Sequence, residues 1–352
     1  MYKTILLFLL FSFTCYGYKP TFLEDLSLVS SMSYQEMMGK NTPSWEFVQN
    51  KEEFEKLKQF ENLYEKRKKL YLDPKDEYKI PKIIHFIWIG PKSFPPESVA
   101  NVRSWIEKHP DWIVKFWTDK ERPPPCKGMQ LCRVDKHPMP NVKEIYDKSD
   151  NWGEKSDIFR IEIVLQEGGV YTDHDIYCIH AFDSFHKAYN FYGGLEQPHV
   201  PLDGYRVTSC NGLIAAKPSH PILLETVNVM KNRWEMVQKK YPENNSIHRM
   251  KRVQERTYLS LHLAIEENIF KNEEDMLFPA SYFFASENNT SIYSHHFYEA
   301  TWAKPYLETN FQKITLKKTT TIKKKLHALF VLGSSFFASF LCFSFFLRRK
   351  MK

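Results

Sequence analysis

The stretch "SDIFRIEIVLQEGGVYTDHDIY", Ser156 to Tyr177, decides how this chain is read. Its first part has the texture of a helix that begins near Ser156 and stops at the glycine pair Gly168-Gly169. After the glycines, "VYTDHDIYCI" reads as an apolar strand broken by Asp173 and Asp175 with His174 between them. Two carboxylates two residues apart share one face of a regular strand. Ligands of α/β sheets gather at such strand ends. From the residues alone the pair is a metal site, an acid/base pair or a solvated turn. Converging carboxylates suit Mg²⁺ or Mn²⁺, hard cations that leave positions open for phosphate oxygens.

Upstream, "IPKIIHFIWIG" (Ile80–Gly90) is a short apolar run bounded by proline and glycine, the mark of a buried strand. "SVANVRSWIEKHPDW" then reads as a helix and "IVKFWTD" as a strand, a spacing that predicts a parallel sheet with crossovers. "GLIAAKP" is a further strand, and "PILLETVNVMKNRWEMVQKK" and "RTYLSLHLAIEENIF" are helical. Residues 18–79 read as a helical extension. Within it "WEFVQNKEEFEKLKQFENLYEKRKKLYL" places Phe54, Leu57, Phe60, Leu63 and Tyr64 at helical intervals among alternating charges.

The 352 residues are 43% hydrophobic, enough for a sizeable core. The net charge of +7 is misleading, because ten Lys/Arg and no Asp/Glu occur from Lys313 onward, which leaves residues 1–312 at about −3. A mildly acidic body argues against nucleic acid as a partner. Residues 1–17 have the order of a secretory signal, with Lys3 before the apolar run Ile5–Phe13. Residues 326–347 carry no charge and are long enough to cross a ~30 Å hydrocarbon core, so a single-pass membrane helix is expected there. A basic linker, 313–325, precedes it, and a short basic tail, 348–352, comes after it. Those two apolar segments imply location in a eukaryotic secretory membrane (endoplasmic reticulum or Golgi), or in a secreted or envelope protein if bacterial. Cys126 and Cys132 are close enough in sequence for a loop disulfide, and the lack of a CxxC pair excludes a zinc ribbon.

Four stretches in order, "IPKIIHFIWIG", "SDIFRIEIVLQEGGVYTDHDIY", "SCNGLIAAKPSHP" and "SHHFYEATW", resemble DXD-containing, sugar-nucleotide-dependent glycosyltransferases. That family includes fungal initiating α-mannosyltransferases, mannosylinositol-phosphoceramide synthases and the transferase domains of glucosylating bacterial toxins. The resemblance implies a GT-A type, Rossmann-like α/β domain over residues 80–312, with added helices. It also implies transfer of a hexose from a UDP- or GDP-linked donor, with retention, to a hydroxyl acceptor on a glycan, lipid or protein.

By that resemblance Trp88 stacks on the base, Asp157 and Arg160 bind sugar, ribose or phosphate, and Asp173 reaches the sugar, ribose or metal. Asp175 is the direct metal ligand, Asn211 faces the sugar near the anomeric carbon, His296 of the closing motif lies near the diphosphate and ligates the metal, and Trp302 of the same motif binds the nucleotide-sugar. His174 falls on the opposite strand face. Many relatives carry a Thr-Gly-Pro turn before the closing motif, where this chain has "QERTYLSLHLAIEE". That departure keeps a second reading alive, a membrane-anchored carbohydrate-binding or degenerate module.

Overall fold

The computed structural model describes residues 21–285 and 289–299. The expected signal, the basic linker, the expected membrane helix 326–347 and Trp302 all lie outside the described residues. Among the described residues no helix is long and apolar enough to cross a membrane.

The strands that build the site are β1 (Ile83–Ile87), β2 (Ile113–Thr118), β3 (Gln130–Arg133), β4 (Gly169–Thr172), β5 (Ile176–Cys178), β6 (Phe191–Leu195), β7 (Ser209–Ala216), β8 (Asp275–Phe278) and β9 (Ser294–His296). Seven of them form one sheet in the order β3-β2-β1-β4-β7-β6-β8. The pairs β1–β2, β2–β3, β1–β4 and β6–β8 are parallel, whereas β7 runs antiparallel to both neighbours. The expected parallel sheet is therefore a mixed one. β7 enters as a return strand, and no crossover helix separates it from β6, so the pair must run antiparallel. β9 pairs antiparallel with β5 and brings the far end of the described chain back to the acidic turn.

The helices used below are α1 (Lys51–Arg67), α2 (Val99–Lys108), α3 (Trp152–Glu167), α4 (Pro221–Lys240), α5 (Ser246–Val253) and α6 (Leu259–Asn268). In α1 a capping box between Asn50 and Glu53 closes the first turn. Leu57, Phe60, Leu63 and Tyr64 are buried as the periodicity requires, while Phe54 stays 46% exposed at the stripe's outer end. The extension is welded to the sheet domain: the Tyr64 and Tyr71 hydroxyls meet that of Tyr282 at 2.8 and 2.7 Å. Arg67 donates to the carbonyls of Ile269 and Asp275 at 2.8 and 2.7 Å.

α3 begins at Trp152, four residues before the expected Ser156, because Asn151 caps it by accepting from the Glu154 amide. Its end is fixed by Gly168 (φ 68°) and Gly169 (φ 94°). A Cβ at Gly169 would stand 2.5 Å from the Ile83 carbonyl, so close approach of β4 to β1 requires glycine there. His85 on β1 locks the same junction. Its Nε2 donates to Gly168 O at 2.9 Å while Nδ1 accepts from the Trp117 indole at 3.1 Å. No disulfide joins Cys126 and Cys132. Cys132 sits on β3, in register with Trp117, and the Cys126 thiol lies 3.6 Å from the Val99 carbonyl.

Candidate active site

Parallel pairing of β1 with β4 puts His85 beside Tyr171, so the residues after both strands emerge at the same sheet edge. There the chain leaves β4 at Thr172 and turns. The Asp173 carbonyl accepts from the Ile176 amide at 3.2 Å before β5 begins. A tight turn, rather than the pleat of one strand, therefore brings Asp173 and Asp175 to the same place. His174 points away: its Nδ1 meets Ser98 Oγ at 2.8 Å, and its ring stands edge-on to Trp88, 4.9 Å between centroids.

Asp173 is held from three directions. Its amide donates to Gly212 O at 2.8 Å, and its Oδ1 accepts from the Tyr171 hydroxyl at 2.5 Å and lies 3.3 Å from the Arg160 guanidinium. Arg160, on α3 and only 4% exposed, also pairs with Asp157 at 2.6 Å and donates to the Asn211 carbonyl at 2.6 Å. Its guanidinium lies over the Tyr171 ring, 4.2 Å from the centroid. One helical turn separates Asp157 from Arg160, so both reach the same edge. Asp157 accepts in addition from Thr257 Oγ1 at 2.7 Å and from the Asn211 side chain. Burial pushes the Asp157 carboxyl up despite the arginine beside it.

Asp175, 5% exposed, is clasped by the segment after β9. Its main-chain carbonyl accepts from the Phe297 amide at 2.9 Å, its Oδ2 accepts from the Glu299 amide at 2.8 Å, and its Oδ1 lies 3.4 Å from His296 Nε2. Burial alone would raise the Asp175 pKa, but the imidazole and the amide outweigh it and hold the group below the usual carboxylate range. Burial likewise works against a charge on His296, yet Asp175 beside it raises the imidazole's pKa. Tyr298, at the positive φ of 51°, lays its ring 4.0 Å from that of His296. A strained tyrosine held there marks a segment whose position matters more than its local comfort.

Donor atoms of Asp173, Asp175 and His296 all lie within 4.8 Å of one another. His296 Nδ1 is buried with no hydrogen-bond partner. Two carboxylates and an imidazole form a donor set for Mn²⁺ or Mg²⁺, and the residues fit such an ion. The space beside them is kept open by Gly212. A Cβ at that position would stand 3.0 Å from Asp173 Oδ2, 3.4 Å from Cys210 Sγ and 3.5 Å from His296 Cε1. Around this cradle carboxylates outnumber fixed cations, which suits a divalent ion bridging to an anionic ligand.

Of the residues singled out by sequence, Asp157, Arg160, Asp173, Asp175, Asn211 and His296 come together here. Trp88 lies behind them, 9% exposed, its indole donating to the Lys92 carbonyl at 3.0 Å. The exposed aromatic at that strand end is Trp152, 45% exposed and laid over Gly90. Gly212, Thr257 and Tyr171 belong to the site without having been assigned to it from sequence. The dipeptide Asn211-Gly212 was the available signal for the first.

Residues 95–192 match the family described as "Glycosyltransferase sugar-binding region containing DXD motif". The match takes in the acidic turn at Asp173 and Asp175. It is 30% identical over 173 residues to "Subversion of eukaryotic traffic protein A" of Legionella pneumophila, covering 45% of this chain and 26% of that protein. It is 31% identical over 151 residues to "Inositol phosphoceramide mannosyltransferase 3" of Schizosaccharomyces pombe, covering 42% of this chain and 36% of that protein. The similarity thus spans 26% and 36% of the length of these two relatives. Among solved structures the "PaToxG Glycosyltransferase" aligns over 60% of this chain and 77% of that one, at 20% identity and a TM-score of 0.42. The matched residues run from just before α2 to the start of β6.

Proposed function

We propose that this protein is a metal-dependent glycosyltransferase that moves a hexose from a UDP- or GDP-linked donor to a hydroxyl on a glycan, lipid or protein, with retention. The observation that carries the reading is the convergence of Asp173, Asp175 and His296 to within 4.8 Å beside Arg160, at the C-terminal edge of a mostly parallel sheet. Asp173, Asp175 and His296 would hold Mn²⁺ or Mg²⁺, which when bound neutralises charge on the donor diphosphate.

The chain's own residues supply the rest. Breaking a sugar–diphosphate bond places extra negative charge on the departing phosphate and positive charge on the sugar. Arg160 is already fixed by Asp157, Asp173, the Asn211 carbonyl and the Tyr171 ring, so it meets the developing phosphate charge without reorganising. Asp157, at the edge of the cradle, accepts from sugar or ribose hydroxyls. The acceptor hydroxyl attacks from the leaving-group side, and its proton passes to the departing phosphate oxygen, so the configuration is kept.

The test is a donor panel. The purified protein is incubated with UDP- and GDP-linked hexoses, with and without Mn²⁺, and release of the nucleoside diphosphate is measured. Metal-dependent release from at least one donor is expected. A donor bound but never turned over, across a broad set of acceptors, would favour the carbohydrate-binding module, and no binding to any donor would overturn both.

A further inference from the structure

We propose that Glu196 completes the donor site as the carboxylate that accepts hydrogen bonds from hydroxyls of the transferred sugar, a role that rests on the glycosyltransferase reading above. Glu196 comes directly after β6, and its amide donates to the Thr208 carbonyl at 2.8 Å. The adjoining register, Leu195 against Ser209, sets it opposite Thr208, whose side chain shares a strand face with Cys210, and the Glu196 carboxylate hydrogen-bonds the Cys210 thiol. Cys210 and Gly212 are two apart on one strand and share a face. Between them Asn211 turns to Asp157 and Arg160. The cradle over Gly212 therefore has the Asp157–Arg160 pair on its Asn211 side and Glu196 on its Cys210 side. The charge of Glu196 also reaches Cys210, His296 and Tyr298.

The two sides are joined by one short element. Gln254–Tyr258, between α5 and α6, is a π-turn, a form that recurs at functional sites. Its consecutive hydroxyls serve opposite sides: Thr257 Oγ1 donates to Asp157 at 2.7 Å and Tyr258 OH donates to Glu196 Oε2 at 2.5 Å. The turn is pinned behind by Glu255, 1% exposed, which pairs with Lys240 at 2.9 Å and accepts from the Tyr241 hydroxyl at 2.5 Å. This is the segment that stands where many relatives carry Thr-Gly-Pro, and here it supplies hydroxyl contacts to both carboxylates.

Glu196 differs from the other acids of the site in what balances it. Asp157 and Asp173 share Arg160, and Asp175 has His296. Among the described residues no lysine or arginine lies within 4 Å of Glu196, and His199 Nε2 is 3.9 Å away. Its side chain is 15% exposed, so a carboxylate is kept largely out of water against the Tyr258 phenol and the Cys210 thiol, with no lysine or arginine beside it. Desolvating a carboxylate that way is costly unless hydroxyl donors complete its shell. Sugar hydroxyls are donors of that kind, and a site built around them discriminates strongly against sugars that lack one.

The experiment measures, on the full chain with Mn²⁺, dissociation constants for UDP, GDP, UDP-glucose and GDP-mannose, together with hydrolysis rates. Wild type, Glu196→Gln and Tyr258→Phe are compared, and Glu196→Asp replaces the glutamine variant should that one fail to fold. The expected result is unchanged binding of the nucleoside diphosphate, binding of the nucleotide-sugar weakened about tenfold or more, and a smaller loss of the same kind in Tyr258→Phe. Equal weakening of both ligand classes, wild-type binding of the nucleotide-sugar, or a lost rate with intact sugar binding would each overturn the role of Glu196 while leaving the glycosyltransferase reading standing. A wild type that binds nothing in the panel would overturn that reading, and this one with it.

Discussion

Asp175 Oδ1 and His296 Nε2 lie 3.4 Å apart, although one comes from the DXD region and the other from the closing strand, far along the chain. β9 pairs with β5 so that His296 stands in register with Ile176, the residue after Asp175. Sheet pairing thus sets the distance between the two groups. Replacing His296 by Ala removes one of three convergent donors and leaves the Asp175 carboxylate without its neighbour. Mn²⁺ affinity is expected to fall by roughly ten- to a hundredfold, measured by titration of the metal against the purified protein.

Gly212 is the floor of the cradle, and its replacement tests whether that space is used. The backbone there needs no positive φ, and the nearest atom to an added Cβ is a carboxylate oxygen at 3.0 Å. Gly212→Ala is expected to fold with little change in melting temperature and to lose donor hydrolysis by about tenfold or more, because the methyl group displaces Asp173 Oδ2. Unchanged turnover would place the sugar elsewhere.

His85 makes stability depend on pH away from the site. It is fully buried, its Nδ1 accepts from the Trp117 indole, and burial brings its pKa down to about 4 although the bond to the Gly168 carbonyl opposes the shift. A histidine with a depressed folded-state pKa contributes stability that is present above its unfolded value of about 6.5 and is lost as pH falls toward the folded value. His186, also fully buried and lowered to about 3, acts in the same direction. Stability measured by denaturant titration should fall between about pH 6.5 and 4, by roughly 3 kcal/mol from His85. His85→Gln should flatten that slope, whatever it does to stability at neutral pH.

Much of this arrangement is legible in the sequence, for physical reasons. "IIHFI" and "IVKFWT" are apolar runs bounded by turn residues, and both are strands. Gly168-Gly169 announces a backbone that no other residue could carry so closely past Ile83. Asp157 and Arg160 are three apart on a helix, and Asp173 and Asp175 flank a single residue, so local spacing alone brings each pair to one place. The true start of α3 is harder to read, because its cap, Asn151, precedes a tryptophan and a glycine rather than an apolar run.

What spacing cannot reveal is long-range contact. β9 is the polar tripeptide Ser294–His296 and becomes a strand only through β5. β3 is half exposed and carries no alternation. Glu196 and Tyr258 are 62 residues apart in sequence, and only the tertiary fold joins them. The antiparallel course of β7 is likewise hidden, since an apolar run reads the same in either direction.

Asp173, Asp175 and His296 form, in the reading proposed above, a metal–diphosphate site that drives sugar transfer. The most direct measurement of this is release of UDP or GDP from a nucleotide-sugar by wild type and Asp175→Asn over a Mn²⁺ titration. The predicted release saturates with Mn²⁺ in wild type, stops on chelation, and falls at least about a hundredfold in Asp175→Asn even at saturating metal. Release by wild type that is indifferent to metal and chelator, or equal in the variant, would contradict it.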